Sequence, residues 1–324
     1  MNYTGCYIEL TSRCNLSCKH CLHTKEGEDY HLSLESVKKA ITYFIRNGLK
    51  CVYLSGGEPL LYNQFSDICD YLTLQERIEW ELVTNATLVT DSLCDFLKKA
   101  NNLRRINISL DGASAQIHDF NRGVGVYDKV IKSIILLKNH EFNNINIQMV
   151  IAKYNKHEVD DFQSLAAKYD VSYKFLMLSK IGESKRNADN LYIDDADDFN
   201  VRKIVYKDKG KVNYSCPLLK PDYNSTAYVD YLGNVYLCRK LREAHREIGN
   251  IYTQIIDDNK ISMLLEDIAN YSSEKTDCSN CSIKLYCKKG CFAEALMNSS
   301  PNDGLCTQRI LSFTDKILHH TGRQ

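Results

Sequence analysis

A chain of 324 residues with 41 basic and 41 acidic side chains has no global charge with which to attract a polyanion, so nucleic acid is not an expected partner. Its composition, 44% hydrophobic and 25% charged, is that of a globular protein long enough for one large domain and a smaller one. No stretch approaches the roughly 18 apolar residues of a membrane span, and the N-terminus "MNYTGCYIEL" lacks a basic region leading into an apolar one. Neither a membrane segment nor a cleaved signal is expected, which places the chain in the cytoplasm.

In chain order, "CYIEL" (6–10) predicts a strand and "LSLESVKKAITYFIRNG" (32–48) a helix with Ser33 as N-cap and Gly48 as stop. The pattern repeats as strand 50–57, helix 64–72, strand 78–85, helix 91–100, strand 104–112, helix 127–140, strand 144–152, helix 158–170 and strand 173–178. Strands alternating with helices imply parallel β/α units in an open or closed barrel, whose function gathers at the carboxyl ends of the strands. Cys14 to Cys21 follow the first strand, Gly56 to Pro59 the second, Asn85 the third, and Asp111–Gly112 the fourth. Beyond residue 180 the alternation stops. The expected division is a barrel at 1–180, a polar linker at 181–215, and a cysteine-rich domain with a C-terminal helix at 216–324. The basic run "RKIVYKDKGK" (202–211) reads as solvated surface.

The 14 cysteines are unevenly spread, and in a reducing compartment they read as metal ligands or buried thiols in preference to disulfides. Cys14, Cys18 and Cys21 stand within eight positions, and none of the fourteen lies between 95 and 215. Three thiolates on one loop leave a fourth corner open. An iron–sulfur cube ligated at three irons is one outcome. A zinc ion completed by His20 or His23 is the other. Cys6 and Cys51 on strands, and Cys69 and Cys94 on helices, read as core thiols.

The loop "TSRCNLSCKHC", taken with "LSGGEP" (54–59), "VTNA" (83–86) and "ISLDG…HDFNRG" (108–123) in that order, resembles the radical SAM superfamily. The resemblance implies a partial (β/α)6 TIM-like barrel. It also implies a [4Fe-4S] cluster on Cys14, Cys18 and Cys21 whose open iron chelates S-adenosyl-L-methionine (SAM). Reductive cleavage then gives a 5′-deoxyadenosyl radical that takes hydrogen from a substrate. By the same resemblance His20 lies beside the adenine. Ser55, Asn85 and Ser109 reach the methionine or ribose, and Arg122 faces the carboxylate. Gly56 and Gly57 admit the methionine moiety closely, with Glu58 completing the motif.

The later cysteines are Cys216, Cys238, Cys278, Cys281, Cys287, Cys291 and Cys306. They resemble the SPASM extension of these enzymes, which implies two auxiliary iron–sulfur clusters. Cys278, Cys281, Cys287 and Cys306 would close one. Cys216, Cys238 and Cys291 would hold the other with one corner lacking a cysteine. Gly233, in "VDYLGNVYLC", predicts a hairpin turn that returns Cys238. Sulfatase-maturating relatives carry a basic aspartate after the cysteine equivalent to Cys238; here Arg239 stands there and cannot act as a base.

The implied activity is that of an oxidoreductase or peptide maturase acting on a ribosomally made peptide by crosslinking, thioether formation or oxidation. A small-molecule dehydrogenase or epimerase and a non-catalytic zinc-binding module are the alternatives. The partners expected are the substrate, a flavodoxin- or ferredoxin-type electron donor and, since only five residues precede the first strand, a separate peptide-recognition protein.

Overall fold

The computed structural model describes residues 3–23, 28–179, 181–193, 225–273 and 291–297. Strands β1 (Tyr3–Glu9), β2 (Cys51–Ser55), β3 (Glu79–Thr84), β4 (Leu103–Ser109), β5 (Ile145–Ile151) and β6 (Ser172–Met177) run in parallel, in the sheet order 6-5-4-3-2-1. Helices α1 (Leu34–Arg46), α2 (Phe65–Thr73), α3 (Asp91–Leu97), α4 (Ala115–Arg122), α5 (Val126–Asn139) and α6 (Val159–Lys168) connect them. The expected partial α/β barrel is therefore present.

Local chemistry explains the elements. The Ser33 side chain caps α1 by accepting from the Ser36 N–H, and Val37, Ala40, Ile41 and Phe44 form a buried stripe at helical spacing. Along the strands one set of alternate residues, such as Ile8, Val52, Leu54, Trp80, Leu82, Ile106 and Ile108, is buried with the helices. The other set lines the lumen and is largely polar. Registry places Tyr228, Tyr7, Tyr53, Glu81 and Arg105 in one row, and Ser109, Gln148 and Lys174 in another. The sheet is thus dry against its helices and wet on its concave side.

Three features depart from the expectation. Helix α4 was not anticipated as an element separate from the 127–140 helix. Ser114 caps it and Gly123, at φ +112°, ends it, but its buried face carries His118, Asn121 and Arg122, so no apolar period announces it. The segment expected as a linker folds in part as two single turns, α7 (Glu183–Arg186) and α8 (Ala188–Leu191). Finally, β7 (Ser225–Val229) from the second region pairs in parallel with β1 and extends the barrel sheet. The hairpin expected at Gly233 forms between β7 and β8 (Asn234–Tyr236), with Gly233 at φ +84°. Strand β9 (Gly249–Asn250) follows at the sheet end, then α9 (Asp258–Ser273) and α10 (Phe292–Met297).

Cys6, Cys51, Cys69 and Cys94 are all buried, as expected of core thiols. No helix among the described residues is long and apolar enough to cross a membrane. Phe44 is fully buried and meets the Tyr3 ring edge-on at 5.2 Å. Phe44→Ala is expected to lower the unfolding free energy of the iron-free protein by about 3–5 kcal/mol in urea titrations followed by circular dichroism.

Candidate active site

The loop carrying Cys14, Cys18 and Cys21 is held by the ends of several strands. Beyond β2, the Gly57 N–H donates to the Thr11 carbonyl at 2.7 Å and the Glu58 N–H to the Arg13 carbonyl at 2.8 Å. A Cβ on Gly56 would stand 2.5 Å from the Thr11 carbonyl oxygen, and one on Gly57 would overlap the Arg13 carbonyl. The glycines are thus required by the approach of the chain to itself, whatever else binds there. Beyond β3, the Asn85 side chain donates to Asn15 Oδ1 at 2.9 Å and lies 4.0 Å from Cys14 Sγ. From α4, the Asn121 carbonyl accepts the Lys19 N–H and its side-chain oxygen the His20 N–H. From the former linker, the Ser184 N–H reaches the Cys21 carbonyl at 3.3 Å, and Asn187 donates to the Lys19 carbonyl at 3.2 Å.

Three buried carboxylates stand behind this loop. Glu58 accepts from the Thr84 hydroxyl (2.6 Å) and the Asn85 N–H (2.8 Å), and caps the turn at Leu60. Burial nevertheless pushes its carboxyl up to about 7. Glu58 does not line the cavity; it holds the Thr84–Asn85 corner. Asp111 Oδ2 accepts from Arg122 Nε at 2.5 Å and Asn121 Nδ2 at 2.9 Å, and lies 2.7 Å from His20 Nε2. Burial opposes its charge, but Arg122 and then His20 hold the carboxyl far below the usual carboxylate range. Arg122 also points to Cys18 Sγ at 3.7 Å. Glu9, at the end of β1, lies 2.8 Å from His23 Nε2 and 3.3 Å from both Arg239 and Arg242. Against the cost of burial, these partners hold it near pH 2.

A cavity of about 700 Å³ opens beneath the loop. Cys14, Cys18, Cys21 and His20 line it, with Ser55, Gly56, Gly57, Asn85, Ser109 and Arg122. Every residue expected to hold the first cluster or SAM, except Glu58, therefore borders one space. Cys238 and Arg239 line it as well. Cys291 precedes α10, which packs on the turn after Cys238. Cys216, Cys278, Cys281, Cys287 and Cys306 lie outside the described residues.

The sequence reading gave no role to Glu9 or Asn121, took His23 only as a zinc-completing ligand and placed Asp111 only on the rim; for Glu9 the available signal was a charged residue interrupting an apolar strand, as in "YIEL". Arg239 and Arg242, in the turn after Cys238, both pair with Glu9.

Residues 8–166 match the sequence profile described as the Radical SAM superfamily. The chain belongs to the radical SAM superfamily. Radical SAM relatives by sequence include the mycofactocin maturase MftC of Mycolicibacterium smegmatis, 32% identical over 182 residues, covering 56% of this chain and 45% of that protein. The match therefore spans less than half of that relative. MftC of Mycobacterium tuberculosis (strain H37Rv) is 28% identical over 319 residues, covering 91% of this chain and 80% of that protein. In fold, the chain resembles Streptococcus suis SuiB bound to S-adenosylmethionine, with TM-score 0.75, 17% identity, and coverage of 94% and 77%.

Radical SAM membership brings SAM and a [4Fe-4S] cluster, and the site's donors fit them. Three soft thiols face one cavity, with no three His, Cys, Asp or Glu side chains among the described residues converging on a single ion. His20 lies against Asp111 and His23 near Glu9. The superfamily match over residues 8–166 is what favours the cluster over the zinc-module alternative. Burial pushes the Cys14 thiol up to about 11, against a bond from the Leu16 N–H, with Cys18, Glu58 and Cys21 adding to the rise. Metal binding must therefore displace its proton.

Two buried groups give this radical SAM protein opposed pH responses. His118 Nδ1 accepts the Asp111 N–H, which leaves its proton on a buried Nε2 without a hydrogen-bond partner. Burial, then Arg122, lowers its imidazolium from 6.5 to about 4, so its contribution is complete above pH 6.5 and lost as pH falls toward 4. Glu58 is raised from 4.5 to about 7, so its contribution is complete below pH 4.5 and lost as pH rises through 7. In iron-free protein, acidification from about pH 7.5 to 5 should raise the stability of His118→Gln relative to the wild type and lower that of Glu58→Gln relative to the wild type, each by about 2 kcal/mol in urea titrations.

Proposed function

We propose that the chain is a peptide-modifying radical SAM enzyme with a SPASM-type second domain. The observation that carries this reading is the shared cavity, bounded by the Cys14, Cys18 and Cys21 thiols and also by Cys238 of the second cysteine field. One chamber bordered by the first three thiols and by Cys238 suits a substrate side chain held between two redox centres. Its size suits a nucleoside-sized cofactor plus one amino-acid side chain. Similarity to a maturase over most of this chain supports a peptide substrate. So does likeness in fold to SuiB, which is also known bound to its precursor peptide SuiA.

Bound there, the cluster and SAM supply one-electron reductive cleavage and hydrogen-atom abstraction. The residues of the chain place them. Cys14, Cys18 and Cys21 ligate three irons. His20, fixed by Asp111, borders the adenine, and Arg122 brings a positive charge to the carboxylate. Ser55, Asn85 and Ser109 offer polar contacts to the methionine and ribose, while the Gly56–Gly57 backbone admits the amino group. Glu58 acts at one remove, through Asn85. Cys278, Cys281, Cys287 and Cys306 hold one auxiliary cluster, and Cys216, Cys238 and Cys291 the other. The chain works in the cytoplasm with a flavodoxin- or ferredoxin-type donor and a separate peptide-recognition protein. With Arg239 following Cys238, oxidation through a base at that position is not part of the reading.

Anaerobically reconstituted protein given reductant and SAM should release 5′-deoxyadenosine, and Cys18→Ala should abolish release and lower bound iron. Co-expression with a short peptide encoded beside the gene should change that peptide's mass, only with the intact triad. Colourless protein holding one zinc per chain would overturn the radical reading. Release of 5′-deoxyadenosine with every neighbouring peptide unmodified would overturn the peptide substrate and favour a small molecule.

A further inference from the structure

Glu9 ends β1 within one residue of the loop leading to Cys14, yet it does not line the cavity and is fully buried. Its partners come from two segments distant in sequence. His23 stands two residues after Cys21, with Nε2 at 2.8 Å from Oε1. Arg239 follows Cys238 directly, with a guanidinium nitrogen at 3.3 Å from Oε1. Arg242 closes the same turn at 3.3 Å from Oε2, and its Nη1 lies 2.9 Å from His23 Nδ1. That contact makes Nδ1 the acceptor and leaves the His23 proton on Nε2, which is 2.8 Å from Glu9 Oε1 but not aligned for a hydrogen bond, so the arginines carry the tie.

The two arginines would repel each other without the carboxylate, and among the described residues no second carboxylate lies as near to both. Asp230 approaches only Arg242, at 3.9 Å. Aromatic faces complete the cage, with Arg242 over Tyr231 at 4.6 Å and Arg239 over Tyr228 at 5.5 Å. A buried ion pair of this kind is a poor device for bulk stability, because desolvation offsets most of the attraction. It is a good device for fixing one arrangement among several.

We propose that Glu9 is a positioning residue that locks the turn carrying Cys238 onto the N-terminal cysteine loop, giving both cysteine fields one frame. The proposal rests on the functional reading only where it takes Cys238 for a cluster ligand. The lock itself belongs to the polypeptide and exists without iron. It sets where Cys238 borders the cavity relative to Cys21, and hence the span that a substrate side chain must bridge.

The test measures N-ethylmaleimide labelling of each cysteine in iron-free protein, with sites and rates read by mass spectrometry. Glu9→Gln and Arg242→Gln should each raise the Cys238 rate about tenfold, because the turn then opens locally without global unfolding. The double variant should add little to either single change. Cys69 and Cys94, buried on α2 and α3, should stay unreactive in all three. An unchanged Cys238 rate would overturn the lock, and so would a rise matched at Cys69 and Cys94, which reports loosening of the whole fold. If Glu9→Gln does not fold, Arg242→Gln decides alone, since Arg242 is partly solvent-exposed and can be lost without stranding a buried cation. The ligand assignment is tested separately: Cys238→Ser retaining full iron after reconstitution would overturn that assignment and leave the labelling result standing.

Discussion

A carboxylate withdrawn from water must find hydrogen-bond donors or cations, and the upper rim of this barrel is organised by three that do so. Glu9, Glu58 and Asp111 sit at or just beyond the carboxyl ends of β1, β2 and β4, each almost fully buried. Each is compensated by groups on or beside the cysteine loop: His23 and two arginines for Glu9, the Asn85 corner for Glu58, and His20 with Arg122 for Asp111. The loop has little regular structure of its own, so its shape is set by these attachments. Three thiols face one cavity because the backbone between them is tied down on every side.

The same arrangement separates holding from reacting. The helix side of the sheet is an apolar core, whereas the lumen side carries tyrosines, amides and charged groups. A polar lumen costs stability, and it is tolerated because strands paired on both edges and backed by helices need only one dry face. Within the lumen, the stacked pair Tyr7–Tyr53 at 4.2 Å and the Glu81–Arg104 ion pair are built before any substrate arrives. Preorganised groups of this kind orient a bound molecule without reordering at the moment of reaction.

Much of this was legible in the sequence, for identifiable reasons. The strands and most helices follow from local periodicity, and Ser33 and Gly233 act where their chemistry predicts. The cysteine spacing and the Gly-Gly motif point to this loop, and all but one of the residues that the resemblance assigns to the first cluster and SAM border the same cavity. Glu58 is the exception: its place in the motif suggests contact, but burial turns it toward Thr84 and Asn85. Helix α4 escaped because its buried face is polar. The pairing of Arg239 and Arg242 with Glu9 escaped because an arginine's sequence neighbours do not say whether it meets solvent or a buried acid.

The sequence by itself determined the order of strands and helices, the thiol triad and the ordered motifs that resemble a cluster-binding family, and the rim on which function gathers. These depend on residues within a few turns of one another. The tertiary structure alone decided that β7 would extend the barrel beside β1 and that Cys238 would border the same chamber as Cys14. It also decided that Glu9 would meet Arg242, 233 positions away. Periodicity carries information along a segment, whereas the meeting of distant segments is fixed by which charges and surfaces must leave water together.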